Sequence, residues 1–207
     1  MIQVLLVDDY EVVRAGYRRL LENAPDIKVI AEASNGEEAY MLFMKQKPDV
    51  VIMDLSMPGM SGLEAIKRIK CQDKEARILV FSVHESDTFL KHALNEGALG
   101  YITKRSAAKV MVEAVREVAL GNFFIGQDMQ IYLNKRGECS SLEQLSAREF
   151  EVFLLLAQGK GVNDIAEILK LSPKTIGHHY TNIKNKLNVD NASELTRLAI
   201  REKLIVA

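Results

Sequence analysis

The chain has 207 residues, 48% hydrophobic and 27% charged, with a formal net charge of −1. That length suffices for one large or two small domains, each with its own core. No run approaches the roughly 18 uncharged apolar residues of a membrane span, and the opening MIQVLLVDD has neither the basic region nor the small-residue cleavage site of a leader, so a cytoplasmic chain with no membrane partner is expected.

The first 120 residues alternate short apolar runs with amphipathic ones. Strands are predicted at 2–7, 28–33, 49–53, 77–81 and 99–102, and helices at 10–22, 36–45, 62–71, 87–95 and 107–120. Five strands each followed by a helix define an α/β domain with a doubly wound, five-stranded parallel sheet over residues 1–121, and the continuous Val/Ile/Leu runs of strands one, three and four fit burial on both faces. Residues 122–141 hold two glycines, mixed charge and no sustained period, and read as a linker that carries at most a partial helix.

A small all-α domain is expected over 142–207. Ser146 and Glu149 match a capping box that opens a helix with Phe150, Phe153, Leu154 and Ala157 on one face. Gly159 and Gly161 end it, and a short helix follows at 162–169. Ser172-Pro173 starts a third helix running to about Asn188, and a fourth spans 192–204. The cysteines, Cys71 and Cys139, have no CxxC spacing and give neither a zinc knuckle nor a redox motif.

Two regions carry chemistry. In a doubly wound sheet, ligands gather at the carboxyl ends of the strands. Asp8 and Asp9 end strand one, Asp54 follows strand three, Ser82 ends strand four, and Tyr101 and Lys104 lie on strand five. Adjacent carboxylates repel by about 1 kcal/mol in water and more near a low-dielectric surface. Three of them suit a small hard cation such as Mg²⁺, and an aspartate beside such an ion and a lysine can take part in phosphoryl chemistry. Each residue taken singly has a blander role as a cap, a turn or a solvated lysine, but all lie on one rim of the sheet. A Mg²⁺-dependent phosphatase with an aspartyl nucleophile is a competing reading of the same corner.

The second region is basic. From Ser172 to Asn188 there are three lysines, Lys174, Lys184 and Lys186, and no acid. On that helix Ile176, Tyr180, Ile183 and Leu187 share one stripe, while Lys174, His178, Thr181 and Asn185 lie opposite. A short helix joined by a tight turn precedes it, as in a helix-turn-helix. The adjacent His178 and His179 point about 100° apart and cannot chelate one ion. A protein-interaction module that no longer binds DNA stands as the alternative.

VDD at 7–9, DLSMPGMSG at 54–62, FS at 81–82 and GYITK at 100–104 resemble the flavodoxin-like receiver domain of two-component response regulators. The resemblance implies that Asp54 is the phosphoacceptor. It implies that Asp8, Asp9 and Asp54, with the backbone carbonyl of Ser56, hold Mg²⁺. Ser82 and Lys104 would bond phosphoryl oxygens, and Tyr101 would be the aromatic that reorients with Ser82. Ser56 and His84 occupy positions that in the family tune the lifetime of the acyl phosphate. Arg105 stands where many receivers have proline. Residues 145–204 resemble the LuxR-type helix-turn-helix of NarL/FixJ regulators, and SPKT at 172–175 with ELTRLAIR at 194–201 look most like the GacA/UvrY branch.

The first resemblance implies a sensor histidine kinase as phosphodonor and the second double-stranded DNA as a partner; because one small helix-turn-helix binds weakly, a homodimer is expected, with the fourth helix as candidate interface. His178, Thr181 and Asn185 are the expected base readers, with Asn favouring adenine, and Lys174, Thr175, Lys184 and Lys186 the phosphate contacts. Gly177 replaces a Lys, Arg or Asn of many relatives and removes a side chain from the DNA-facing helix.

Overall fold

The computed structural model describes residues 1–133 and 141–205. The chain divides into two compact units, Met1–Asn134 and Lys135–Ala207. Cys139 lies outside the described residues, and no described helix is long and apolar enough to cross a membrane.

The first unit is a parallel sheet of β1 (Ile2–Val7), β2 (Ile27–Ala33), β3 (Val50–Met53), β4 (Ile78–Ser82), β5 (Gly100–Thr103) and β6 (Phe124–Ile125), in the order β2-β1-β3-β4-β5-β6. Its helices are α1 (Glu11–Glu22), α2 (Gly36–Gln46), α3 (Gly62–Gln72), α4 (Asp87–Asn95), α5 (Ala107–Ala119) and α6 (Gln127–Leu133). Val4 and Leu6 of β1 face a core completed by Leu21 of α1 and by Met111, Ala114, Val115 and Val118 of α5. Leu5 and Val7, equally buried, point to the opposite face because successive strand side chains alternate. Every residue of β3, β4 and β5 is buried, as a sheet covered on both sides requires.

Register delivers the functional side chains. Val7 pairs with Met53, Met53 with Val80 and Ser82 with Thr103, so Asp8, Asp54 and Lys104 each stand one residue beyond a paired position at the same edge. The sheet has six strands where five were predicted. Residues 124–133, inside the expected linker, form β6 and α6, and β6 pairs with β5 through Gly100–Phe124 and Tyr101–Ile125. Two residues are too few to show a strand's alternation, which is why the sequence reads as irregular there.

The second unit begins with a 3₁₀ turn at Ser141–Gln144, followed by α7 (Ala147–Ala157), α8 (Val162–Ile168), α9 (Pro173–Leu187) and α10 (Ala192–Arg201). The capping box is present: Ser146 Oγ accepts from the Glu149 amide at 3.3 Å, and Glu149 Oε2 accepts from the Ser146 amide at 2.9 Å. Phe150 and Phe153 lie fully buried with ring centroids 6.2 Å apart, joined by Ile165, Ile176, Ile183, Leu195 and Ala199. Leu154, expected on the buried face, is only partly covered, and Leu156 takes that place because α7 packs against both α9 and α10 and so hides a broader arc. α10 stops at Arg201, three residues short of the predicted end; Lys203 has φ 56°, outside the helical region.

Candidate phosphoacceptor site and nucleic-acid interface

At the carboxyl edge of the first unit, Asp8 and Asp54 are almost completely buried. Lys104 reaches across both: its Nζ lies 2.6 Å from Asp8 Oδ2 and 2.8 Å from Asp54 Oδ2. The ammonium also sits 5.1 Å above the Phe81 ring. Burial works against charge on Lys104, but its bonds to Asp54 and Asp8 outweigh that, and its pKa is raised. Asp54 is pushed above the ordinary carboxylate range by burial, which Lys104 only partly offsets. Asp9 is raised too, first by burial and then by the neighbouring Asp8 charge.

Suitable oxygens of Asp8, Asp9 and Asp54 lie within 4.8 Å of one another. One lysine faces three carboxylates, and Asp9 Oδ1 is buried with no hydrogen-bond partner. A buried carboxylate oxygen without a donor is costly, and a divalent cation in the cluster would satisfy it. The donor set, all hard oxygen, fits such an ion.

The surrounding loops hold this corner rigid. Arg14 Nη1 donates to the Asp8 carbonyl at 2.6 Å, and the Tyr10 amide donates to Asp8 Oδ1 at 2.9 Å. The Ser56 amide donates to Asp54 Oδ1 at 3.3 Å. Gly62 opens α3 directly against Asp54: a Cβ there would lie 2.0 Å from the Asp54 carbonyl oxygen, so only glycine lets the helix approach this closely. Ser82 is fully buried, and its Oγ accepts from the His84 amide at 3.2 Å. Tyr101 Oη donates to the His84 carbonyl at 2.9 Å, and burial raises its pKa despite a bond to Ser82.

The residues singled out along this edge of the sheet thus join in one cluster of contacts. Two partnerships were not visible in the sequence. Ser56 Oγ and His84 Nε2 are 2.7 Å apart across the mouth, and the His84 ring stacks on Phe89 at 3.6 Å and 6°. Burial lowers the His84 pKa to about 4, so the ring is neutral at physiological pH. Arg14 is the other; nothing but its helical position, a turn after Tyr10, could have pointed to it. Arg105 pairs with Glu85 at 3.2 Å, an ion pair between the β4–α4 and β5–α5 loops.

In the second unit, α9 buries Ile176, Ile183 and Leu187 and leaves Lys174, His178, Thr181 and Asn185 exposed. Tyr180 is half-buried. Thr175 serves the N-terminus, its amide donating to Ser172 Oγ at 3.1 Å. Thr181 Oγ1 donates to the Gly177 carbonyl at 3.0 Å, and Asn182 Nδ2 lies 3.4 Å from His178 Nε2, which brings Asn182 beside an expected base reader. A Cβ at Gly177 would meet nothing within 4 Å, so the bare backbone there is open.

The lysines divide. Lys174 and Lys184 pair with no carboxylate among the described residues, whereas Lys186 Nζ donates to the buried Glu149 Oε2 at 2.6 Å. Burial alone would raise Glu149, but Lys186 and the Ser146 groups win and its pKa is lowered. Lys186 therefore ties α9 to the start of α7.

Comparison with known proteins agrees with both halves. The response regulator receiver domain matches residues 4–116, and the domain of bacterial regulatory proteins of the luxR family matches residues 143–199. Response regulator UvrY of Escherichia coli K12 is 41% identical over 209 residues, covering 99% of this chain and 96% of its own length. Oxygen regulatory protein NreC of Staphylococcus epidermidis is 37% identical over 215 residues, covering 98% of this chain and 99% of the relative. Among solved structures, RcsB of Salmonella enterica serovar Typhimurium bound to promoter rprA in the presence of phosphomimetic BeF₃⁻ has a TM-score of 0.71 at 27% identity, covering 96% of this chain and 98% of that one.

A parallel sheet that matches the receiver domain, followed by a helix-turn-helix that matches the luxR family, makes the class that of a signalling regulator. The chain belongs to the response regulators of NarL/FixJ type, with a receiver and a LuxR-type DNA-binding domain. It is a DNA-binding transcription regulator, and the phosphatase reading of the acidic corner falls away.

Proposed function

We propose that a sensor histidine kinase in the cytoplasm phosphorylates Asp54, and that the phosphorylated chain binds double-stranded DNA as a homodimer through α9. The observation that carries this reading is the Lys104 bridge to Asp8 and Asp54 beside the unpartnered Asp9 Oδ1. Asp8, Asp9 and Asp54, with the Ser56 carbonyl, would hold Mg²⁺. Bound there, that ion supplies positive charge opposite the oxygens of the transferring group.

The chain's own groups do the rest. An Asp54 carboxylate oxygen forms the new bond to phosphorus while the donor's bond to phosphorus breaks, and the donor group leaves with that bond's electron pair. Lys104 Nζ, already placed at Asp54 Oδ2, exchanges a carboxylate oxygen for a phosphoryl oxygen, and the Ser82 hydroxyl can donate to another. The exposed face of α9 presents Lys174, Thr175 and Lys184 to phosphates and His178, Thr181 and Asn185 to base edges; Gly177 lets the duplex come close, and Lys186 can add a contact only by leaving Glu149.

The decisive experiment is acid-labile phosphate incorporation from acetyl phosphate. The native chain is expected to label in Mg²⁺ and Asp54→Asn to lose labelling completely. Labelling retained in Asp54→Asn overturns the assignment.

A further inference from the structure

Two consecutive backbone carbonyls of the β4–α4 loop are held by tyrosine hydroxyls from two different elements. Tyr101 of β5 donates to the His84 carbonyl at 2.9 Å, and Tyr132 of α6 donates to the Glu85 carbonyl, also at 2.9 Å. The Glu85 side chain meanwhile takes Arg105 at 3.2 Å. The same loop begins at Ser82, whose hydroxyl accepts from the His84 amide.

Helix α6 is further fixed to the sheet. The Gly126 amide donates to the Tyr101 carbonyl at 2.9 Å, and Thr103 Oγ1 donates to Asp128 Oδ2. Met129 is fully buried, and α6 packs on α4 and β5. Thr103 is the residue before Lys104. The ties from Tyr132, Gly126 and Asp128 thus each end within three residues of Ser82, Tyr101 or Lys104.

We propose that Tyr132 is a sensing residue: its hydroxyl couples α6, the last described element before the DNA-binding unit, to the phosphorylation state of Asp54. The proposal rests on the phosphoacceptor reading above. When the Ser82 hydroxyl turns to a phosphoryl oxygen it stops accepting from the His84 amide, and the 83–86 backbone is free to settle differently. The Glu85 carbonyl cannot move without stretching its bond to Tyr132, because β6 pairing and the Thr103–Asp128 bond hold the start of α6 in place. A neutral hydrogen bond that exists in one state and not the other supports a bias of about 3- to 10-fold between them.

The test uses the full chain with beryllofluoride and Mg²⁺ as the phosphoryl mimic, with amide hydrogen exchange and beryllofluoride titration as readouts. In the native chain, beryllofluoride is expected to speed exchange across 127–133 while β1 stays protected. Tyr132→Phe should show that faster exchange without beryllofluoride. Because coupling is reciprocal, the same variant should bind beryllofluoride about 3- to 10-fold more tightly. Asp128→Ala, which removes the acceptor of the neighbouring tie, should act in the same direction, and unchanged protection of β1 in either variant shows that the sheet has not simply loosened. Native exchange and native beryllofluoride affinity in Tyr132→Phe overturn the coupling while leaving the phosphoacceptor reading intact. A native chain that binds no beryllofluoride sinks both.

Discussion

The acidic edge of the first unit and the basic face of α9 use lysine in opposite ways. Lys104 is mostly covered and spends its charge on Asp8 and Asp54 inside the fold, so the pocket is assembled before any ligand arrives. Lys174 is exposed and pairs with no described carboxylate. A small charged group must enter a site whose geometry is already fixed, whereas a polyanion with many charges needs only a surface where cations are left uncommitted. Lys186 sits between these cases, half-exposed but tied to a buried glutamate.

Removing each charge probes that contrast. Lys104→Met leaves two buried carboxylates without their cation and is expected to cost the receiver about 3 kcal/mol in denaturant unfolding without divalent ions. Millimolar Mg²⁺ should restore part of that loss, because a ligand that binds only the folded state stabilises it. A fully stable Lys104→Met would mean the pocket is not electrostatically strained.

Lys174→Ala should instead change stability by less than about 0.5 kcal/mol. Its effect should appear in DNA binding, where the slope of log affinity against log salt drops by roughly 0.9 for one lost phosphate contact. An unchanged slope removes Lys174 from the interface.

The smallest effect concerns Glu149. Its folded pKa is lowered below the ordinary 4.5, so its contribution is fully present above pH 4.5 and is lost as pH falls through the folded value. Glu149→Gln should flatten the acid limb of the second unit's stability below pH 4.5. It should leave the first unit's profile unchanged. An acid limb as steep as the native one would remove the Lys186 pair as its source.

Much of this was legible in the sequence because it obeys local rules. The apolar runs of β1, β3 and β4, and caps such as Ser146 and Ser172, placed most helices and strands within one or two residues. Asp8, Asp54 and Lys104 could be brought together in advance because parallel strands deliver their ends to one edge. What escaped depends on long-range partners. Glu149 and Lys186, 37 residues apart, each had a plausible separate role, and only packing of α9 on α7 joins them. Ser56 and His84 are 28 apart, and β6 exists only because β5 offers it an edge.

The pairing of Val7 with Met53 and of Ser82 with Thr103 makes the sheet a ruler for the chemistry. Side chains alternate between faces along a strand, so an insertion or deletion of one residue within β1 or β3 would turn an aspartate away from its companions even if the apolar layers found a tolerable new fit. A change of length within these strands is therefore far costlier than one in the loops outside them, and the ligand-bearing rim inherits its accuracy from hydrogen bonds spaced along the whole sheet.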